Sequence, residues 1–302
     1  MSTSNDTIIN SQKIGIQSAK RTLITIAKEN PAKLALTFGL VGLENILLIT
    51  YPLFAGYAVN SILNGDVSNA LIYVALVFAV WLVGATRRAV DTRVFTRIYA
   101  WLAVPVVLNQ RQLKQSASAT AARVVLAREF VDFFEKQIPA MATALISILG
   151  AVAMLLFLEP LVGAACLAAM VIFGAFVPSY AHTNEVLHQR LNNRLEKEVR
   201  LVADVGAPTL LRHYSLLSRL RIRLSDREAG AFLATGIIAA ILFALTITRL
   251  TSLEKVQAGH VYSVLTYLWT FVITLDESPG IVDQVARLRD IGKRVSPSTS
   301  SA

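Results

Sequence analysis

Six long apolar runs, separated by polar stretches of very unequal length, pattern this chain. The runs are Leu34–Val59, Leu71–Thr86, Met141–Leu158, Leu161–Val177, Phe232–Thr248 and Val261–Leu275. Each approaches the roughly 20 residues that a helix needs to cross hydrocarbon about 30 Å thick. Only Glu159-Pro160 joins the third run to the fourth, which predicts a tight helical hairpin, and Arg249 to His260 makes a second short link. The other connections, Arg87 to Ala140 and Pro178 to Ala231, are each about fifty residues long, helical in pattern and nearly free of glycine. They read as membrane helices that run far out of the bilayer and turn back. The expected fold is therefore all-α: a polytopic membrane protein with six transmembrane helices and two long helical hairpins on one side.

Charge decides which side that is. Of the 29 Lys and Arg residues, five precede the first run, nine lie in each long connection and four lie in the tail (Arg287, Arg289, Lys293, Arg294). Only Arg249 and Lys255 fall on the other face, a split of 27 against 2. The positive-inside rule then expects both termini and both long hairpins in the cytoplasm, with the chain in an inner membrane. The net charge of +9 thereby reports topology and gives no reason to expect a nucleic-acid partner. Composition agrees: 54% of residues are hydrophobic and 16% charged, against roughly a quarter charged in ordinary globular chains. The one cysteine, Cys166, falls inside the fourth run, which excludes an intrachain disulfide and suits a small core residue.

The ends are different in kind. Met1 to Thr7 lacks the basic and apolar regions of a cleaved signal. Ser11 to Asn30 mixes Ile14, Ile16, Leu23, Ile24 and Ile26 with Lys13, Lys20, Arg21 and Lys28, and Pro31 follows. An amphipathic helix on the cytoplasmic leaflet and a charged leader both fit that pattern. Residues 1–30 are taken as this segment, 31–295 as the transmembrane domain and 296–302 as a disordered tail.

Glu44 carries the sharpest chemical signal. It lies about ten residues into the first run, near mid-membrane by count. A carboxylate there must be protonated, paired or in contact with water, and Asn45 adds a second polar group. A proton-coupling site and a structural link to a neighbouring helix both meet that requirement. Asp276 and Glu277 form a second set, followed by Ser278-Pro279-Gly280, where Pro279 and Gly280 are expected to break the helix and free carbonyls. They suit a relay or a cation site with a hinge, or else mark the end of the span. Tyr51, Tyr57, Trp81, Tyr262, Tyr267 and Trp269 fit a pathway lining or interface anchors equally. The histidines show no metal spacing. Arg219, Arg221, Arg223 and Arg227 read as a solvated face near anionic lipid. No catalytic set, metal or cofactor is expected, and the chain does not read as an enzyme.

From Pro31 to Val295 the pattern resembles the six-helix transmembrane domain of ATP-binding cassette (ABC) exporters. Tyr51-Pro52-Leu53-Phe54 followed by Asn64-Gly65-Asp66 looks like the family's first helix, hinged at Pro52, running into a short external loop. Arg123, Glu198 and Gly206 fall roughly where the family's two cytoplasmic coupling turns lie, and Ala286 to Val295 resembles the helix leading into the ATPase domain. The sequence departs from the pattern after Val295: no G-x-x-x-x-G-K-[ST] loop and no Leu-Ser-Gly-Gly-Gln signature occurs among its residues. Ala207-Pro208 in the second turn is a further departure. The resemblance implies a homodimer in the lipid bilayer. Three functions fit: a proton-coupled transporter of peptides or other amphipathic solutes, the transmembrane subunit for a separate ATPase chain, and a non-transporting receptor or docking protein.

Overall fold

The computed structural model describes residues 31–112, 116–204 and 206–295. The segment expected at 1–30 and the tail expected at 296–302 lie outside the described residues. Within them the chain is helical, with no strand: α1 (Pro31–Leu63), α2 (Val67–Gln112), α3 (Ala117–Asp132), α4 (Ile138–Leu158), α5 (Pro160–Asp204), α6 (Ala207–Thr251) and α7 (Ala258–Val295). A π-helical turn, Phe133–Gln137, joins α3 to α4. Six stretches are long and apolar enough to cross a membrane: Pro31–Leu63, Val67–Trp101, Glu135–Leu158, Pro160–Leu195, Ala207–Thr251 and Ala258–Ser278. All six apolar runs thus lie on helices that extend beyond them.

Local chemistry sets the boundaries. Gly65 takes a positive φ of 73°, which glycine adopts without steric cost, and closes α1 with its N–H on Ile62 O at 3.0 Å. Asp66 then caps α2, accepting the Asn69 backbone N–H at 3.1 Å. The Gly65-Asp66 pair is therefore a helix stop and a helix start back to back. At the π-turn the Ile138 N–H reaches Phe133 O, five residues back. Pro139, which follows, has no N–H to extend the ordinary ladder. Gly206 is extended (φ −71°, ψ 160°) and caps α6, with proline in its first turn, where a missing N–H costs nothing. Ala207-Pro208, read from sequence as a departure, is simply the start of this helix.

The break expected at Pro279-Gly280 is absent: α7 continues through both to Val295. The Ser278 hydroxyl donates to Leu275 O at 2.8 Å. Leu275 O is the carbonyl left without its ladder partner by Pro279, so the helix keeps that acceptor satisfied.

Two compact units divide the chain. Of the described residues, the first takes those within 31–54, 66–146 and 284–295, and the second those within 55–65 and 147–283. In the first, α2 packs on α3 through Val94, Phe95, Ile98 and Val131, with Leu34, Val90, Tyr99 and Trp101 around them. In the second, α7 supplies a stripe at helical spacing, Val264, Leu268, Phe271 and Leu275, each at most 2% exposed. Half of the apolar stretch of α7 is buried, against 6% of that of α2. The apolar stretch of α7 is thus the most buried of the six. Along α2, Leu71, Val74, Phe78 and Trp81 form an exposed apolar stripe suited to lipid or to another chain.

In the second unit α1 and α7 cross without side chains between them. A Cβ on Gly56 would collide with Gly259 O and Ser263 Oγ, and one on Gly259 with Gly56 O. Asn60 locks the crossing by accepting the Gly259 N–H at 2.8 Å and donating to Gln257 Oε1 at 2.9 Å. Gly56→Val is expected to lower stability by about 1–3 kcal/mol or more through overpacking against backbone. Gly39 is helical with open space at its Cβ, so Gly39→Ala is expected to be neutral or to add about 0.5–1 kcal/mol. Thermal unfolding of the two variants in one detergent checks the contrast.

Candidate functional site

Two clusters of buried charge stand out, one in each unit. The first is built on a polar face of α1, where Thr37, Val41 and Asn45 recur every four residues and are 0%, 2% and 1% exposed. The Asn45 amide donates to Val41 O at 2.7 Å and to Thr143 Oγ1 on α4 at 3.1 Å, tying α1 to α4. Its Oδ1 is buried without a hydrogen-bond partner among the described residues.

Glu44 is next to it and faces α2. Its carboxylate forms an ion pair with Arg87 Nε, and both side chains are largely buried. Gly84 makes this approach feasible, because a Cβ there would come within 2.9 Å of Glu44 Oε1. Arg87 Nη1 also lies 3.6 Å from Asp91 Oδ2, one turn further along α2. Gly84, Arg87 and Asp91 occupy one face of α2 at i, i+3 and i+7, opposite Glu44 and Thr37 on α1. The charge that looked solitary in the sequence therefore has a counter-ion.

The second cluster sits where helices end. Glu159, between α4 and α5, is 5% exposed. Its Oε2 is 3.4 Å from Arg249 Nε near the end of α6, and its Oε1 is 3.0 Å from His260 Nε2 at the start of α7. One buried carboxylate thus fastens the two short links of the second unit. Sequence reading used Glu159 only as a hairpin joint. The available signal was that Glu159 interrupts two apolar runs and that Arg249 is one of two cations on that face.

The remaining residues of interest disperse. Asp276 is half-buried and Glu277 exposed on α7; both lie in the second unit, whereas Glu44 and Asn45 lie in the first. Pro52 lies inside α1. Of the three residues assigned to coupling turns, only Gly206 lies in a turn: Arg123 falls within α3 and Glu198 within α5. The long helical stretches continue past the positions where short turns were expected. Glu198 instead accepts the Tyr214 hydroxyl at 2.8 Å, bracing α5 against α6. Further along, Arg227 donates to Asn184 Oδ1 at 2.9 Å and lies over the Tyr180 ring at 5.0 Å, a second brace on the same hairpin.

Six spans with these long, braced helix pairs are one finding; the other comes from comparison with known families. The model for the ABC transporter transmembrane region matches residues 23–259. The chain belongs to this family. No curated protein sequence matches it. Membership makes this ABC transmembrane chain a multi-pass membrane protein and a component of membrane transport. The 302 residues contain no nucleotide-binding domain. The matched stretch contains the Glu44–Arg87–Asp91 cluster, Glu159 with Arg249 and both long helix pairs, and it ends one residue before His260.

The Glu159 cluster yields a graded expectation. Glu159→Ala removes both links and is expected to cost about 1–3 kcal/mol, since a buried hydrogen-bonded acceptor is lost. Arg249→Ala is expected to cost less, under about 1 kcal/mol, because its side chain is 42% exposed and can hydrate. Thermal unfolding of both variants in the same lipid or detergent measures the order.

Proposed function

We propose that this chain is the membrane-spanning subunit of a transporter, working as a homodimer and driven by an ATPase that docks on the tips of its long helix pairs. The observation that carries this reading is the length and bracing of α5 and α6. Each has 45 residues, or about 68 Å, so more than half of each helix has no hydrocarbon to cross. Such an extension is useful as a lever. The Tyr214–Glu198 and Arg227–Asn184 contacts hold its two helices as one body, so that a push near Gly206 would reach the spans. The exposed apolar stripe on α2 supports a dimer, in which a second copy shares the cover that lipid provides. Six apolar helices around a pathway favour an amphipathic solute, peptides included. Both termini and the helix-pair tips are assigned to the cytoplasm of an inner membrane on the distribution of Lys and Arg.

A second reading, a proton-coupled homodimer that needs no ATPase, is favoured by the acids gathered at Arg87. Glu44 weighs less for it than the sequence suggests, because its charge is met by Arg87 and an ion pair satisfies the demand that made it a candidate. Asp276 and Glu277 enter this reading as a relay nearer the aqueous side, with Pro52, Pro279 and Gly280 as points of bending. The receptor or docking reading has no observation of its own in its favour.

Purification of the tagged full chain from native membranes, followed by an ATP hydrolysis assay, separates the first two readings. The expected result is hydrolysis that co-purifies with a second polypeptide and falls at least tenfold when Gly206 and its neighbours at the tip are replaced. Absence of hydrolysis, together with solute uptake that follows an imposed pH difference in vesicles, would overturn the ATPase reading in favour of the second.

A further inference from the structure

The helix pair α5–α6 carries positive charge that nothing in its neighbourhood balances. Residues 186–195 of α5 and 211–225 of α6 include six arginines (Arg190, Arg194, Arg212, Arg219, Arg221 and Arg223) and no Asp, Glu or Lys. No ion pair among the described residues uses any of them. Asn184 and Leu187 of α5 and His213, Leu217 and Leu224 of α6 are buried and mark the faces that the two helices turn to each other. At about 100° per residue, Arg190 and Arg194 stand off the inner face of α5 in one rotational sense. Arg212, Arg219 and Arg223, all exposed, stand off the inner face of α6 in the same sense. The Glu198–Tyr214 and Arg227–Asn184 contacts show the helices to be antiparallel and bring Arg190 level with 219–223. In an antiparallel pair, the same sense of rotation brings both sets to one flank. Arg221 lies on the other flank and Arg227 turns inward to Asn184, so the arginines that read as one face in the sequence divide three ways.

Like charges one turn apart weaken a helix, and Arg190 with Arg194 and Arg219 with Arg223 are both such pairs. A counter-charge from outside the chain would remove that cost. We propose that this flank of α5 and α6 is a docking strip for an acidic amphipathic helix of a partner polypeptide. Arg212, Arg219 and Arg223 span about 16 Å along α6, at intervals of seven and four residues. Those intervals recur on one face of any α-helix, so a helix laid alongside can set a carboxylate against each guanidinium. The planar guanidinium takes a carboxylate through two parallel hydrogen bonds, which a lysine cannot do. Leu216 and Leu220, half-buried between the arginines and the inner face, give the incoming helix an apolar seam. A bilayer fits less well. The strip runs along helices that cross the membrane, so it leads away from the surface, and a plane of headgroups meets only its near end. The strip does not depend on what drives transport.

The test uses the full chain in zwitterionic nanodiscs and a labelled helical peptide with glutamates at the spacing of Arg212, Arg219 and Arg223 and leucines beside them. Fluorescence anisotropy at physiological ionic strength reads its Kd. Replacing Arg190, Arg219 and Arg223 together by Gln is expected to weaken binding about tenfold or more. The charge-matched change of Arg88, Arg93 and Arg97 of α2 to Gln is expected to weaken it less than about twofold, as is proper for screened, distant charge. A peptide of the same composition with its glutamates scattered around the helix is expected to bind about tenfold more weakly than the designed one. Equal losses in the two triple variants, equal binding of the two peptides, or no binding of the designed peptide overturns the proposal. So does a flank variant that loses only phosphatidylglycerol vesicles or a single-stranded oligonucleotide, which would make the strip a phosphate site. Should the flank variant fail to fold, Arg219→Glu carries the test alone: it should weaken the designed peptide, and one glutamate changed to lysine should restore binding. Absence of that rescue at every glutamate position overturns the assignment.

Discussion

A charge buried between helices must find its opposite, and the ion pair between Glu44 and Arg87 is where this chain meets that constraint. It connects the first two spans side by side at one level, with Gly84 cut back to admit the carboxylate. Asn45 extends the link to α4 through Thr143, so one short segment of α1 holds two neighbours. Apolar side chains gain little by choosing one another over lipid tails, whereas polar contacts fix register and depth. The first unit is thus specified by a few polar atoms and stabilised by ordinary packing at Phe95 and Val131.

The second unit solves the same problem at the helix ends and at a close crossing. Glu159 gathers Arg249 and His260 where the backbone changes direction, while Gly56 and Gly259 let α1 and α7 touch backbone to backbone. Small residues that permit close approach and buried polar contacts are the two devices available where hydrophobicity does not discriminate. With both short links fastened, motion of the α5–α6 pair would pass into the spans as movement of whole helices and not be lost in loose turns.

Much of this architecture was legible in the sequence because its cause is local. Runs of apolar residues imply spans, Gly65-Asp66 is a stop and a start, and Glu159-Pro160 leaves room only for a hairpin. What sequence hid depends on distance in space. Nothing near Glu44 in the chain names Arg87 as its partner, 43 residues on, although the i,i+4 spacing of Arg87 and Asp91 hinted at a charged face. Pro279-Gly280 misled for a different reason: Ser278 donates to the carbonyl that Pro279 leaves without its ladder partner, and the helix runs on. Arg123 and Glu198 were placed in turns by resemblance, but α3 and α5 run through those positions.

That the Glu44–Arg87 pair fixes α1 against α2 is best tested by a double-mutant cycle on thermal unfolding of the full chain in lipid, with Glu44→Gln, Arg87→Gln and both together. The two single changes should differ: Arg87→Gln leaves two acids without a cation, whereas Glu44→Gln leaves Arg87 its second partner, Asp91. The account predicts a larger loss for Arg87→Gln and a coupling of about 1–3 kcal/mol, so that the double variant is more stable than the sum of the singles requires. Additive losses, or a larger cost for Glu44→Gln than for Arg87→Gln, would contradict it.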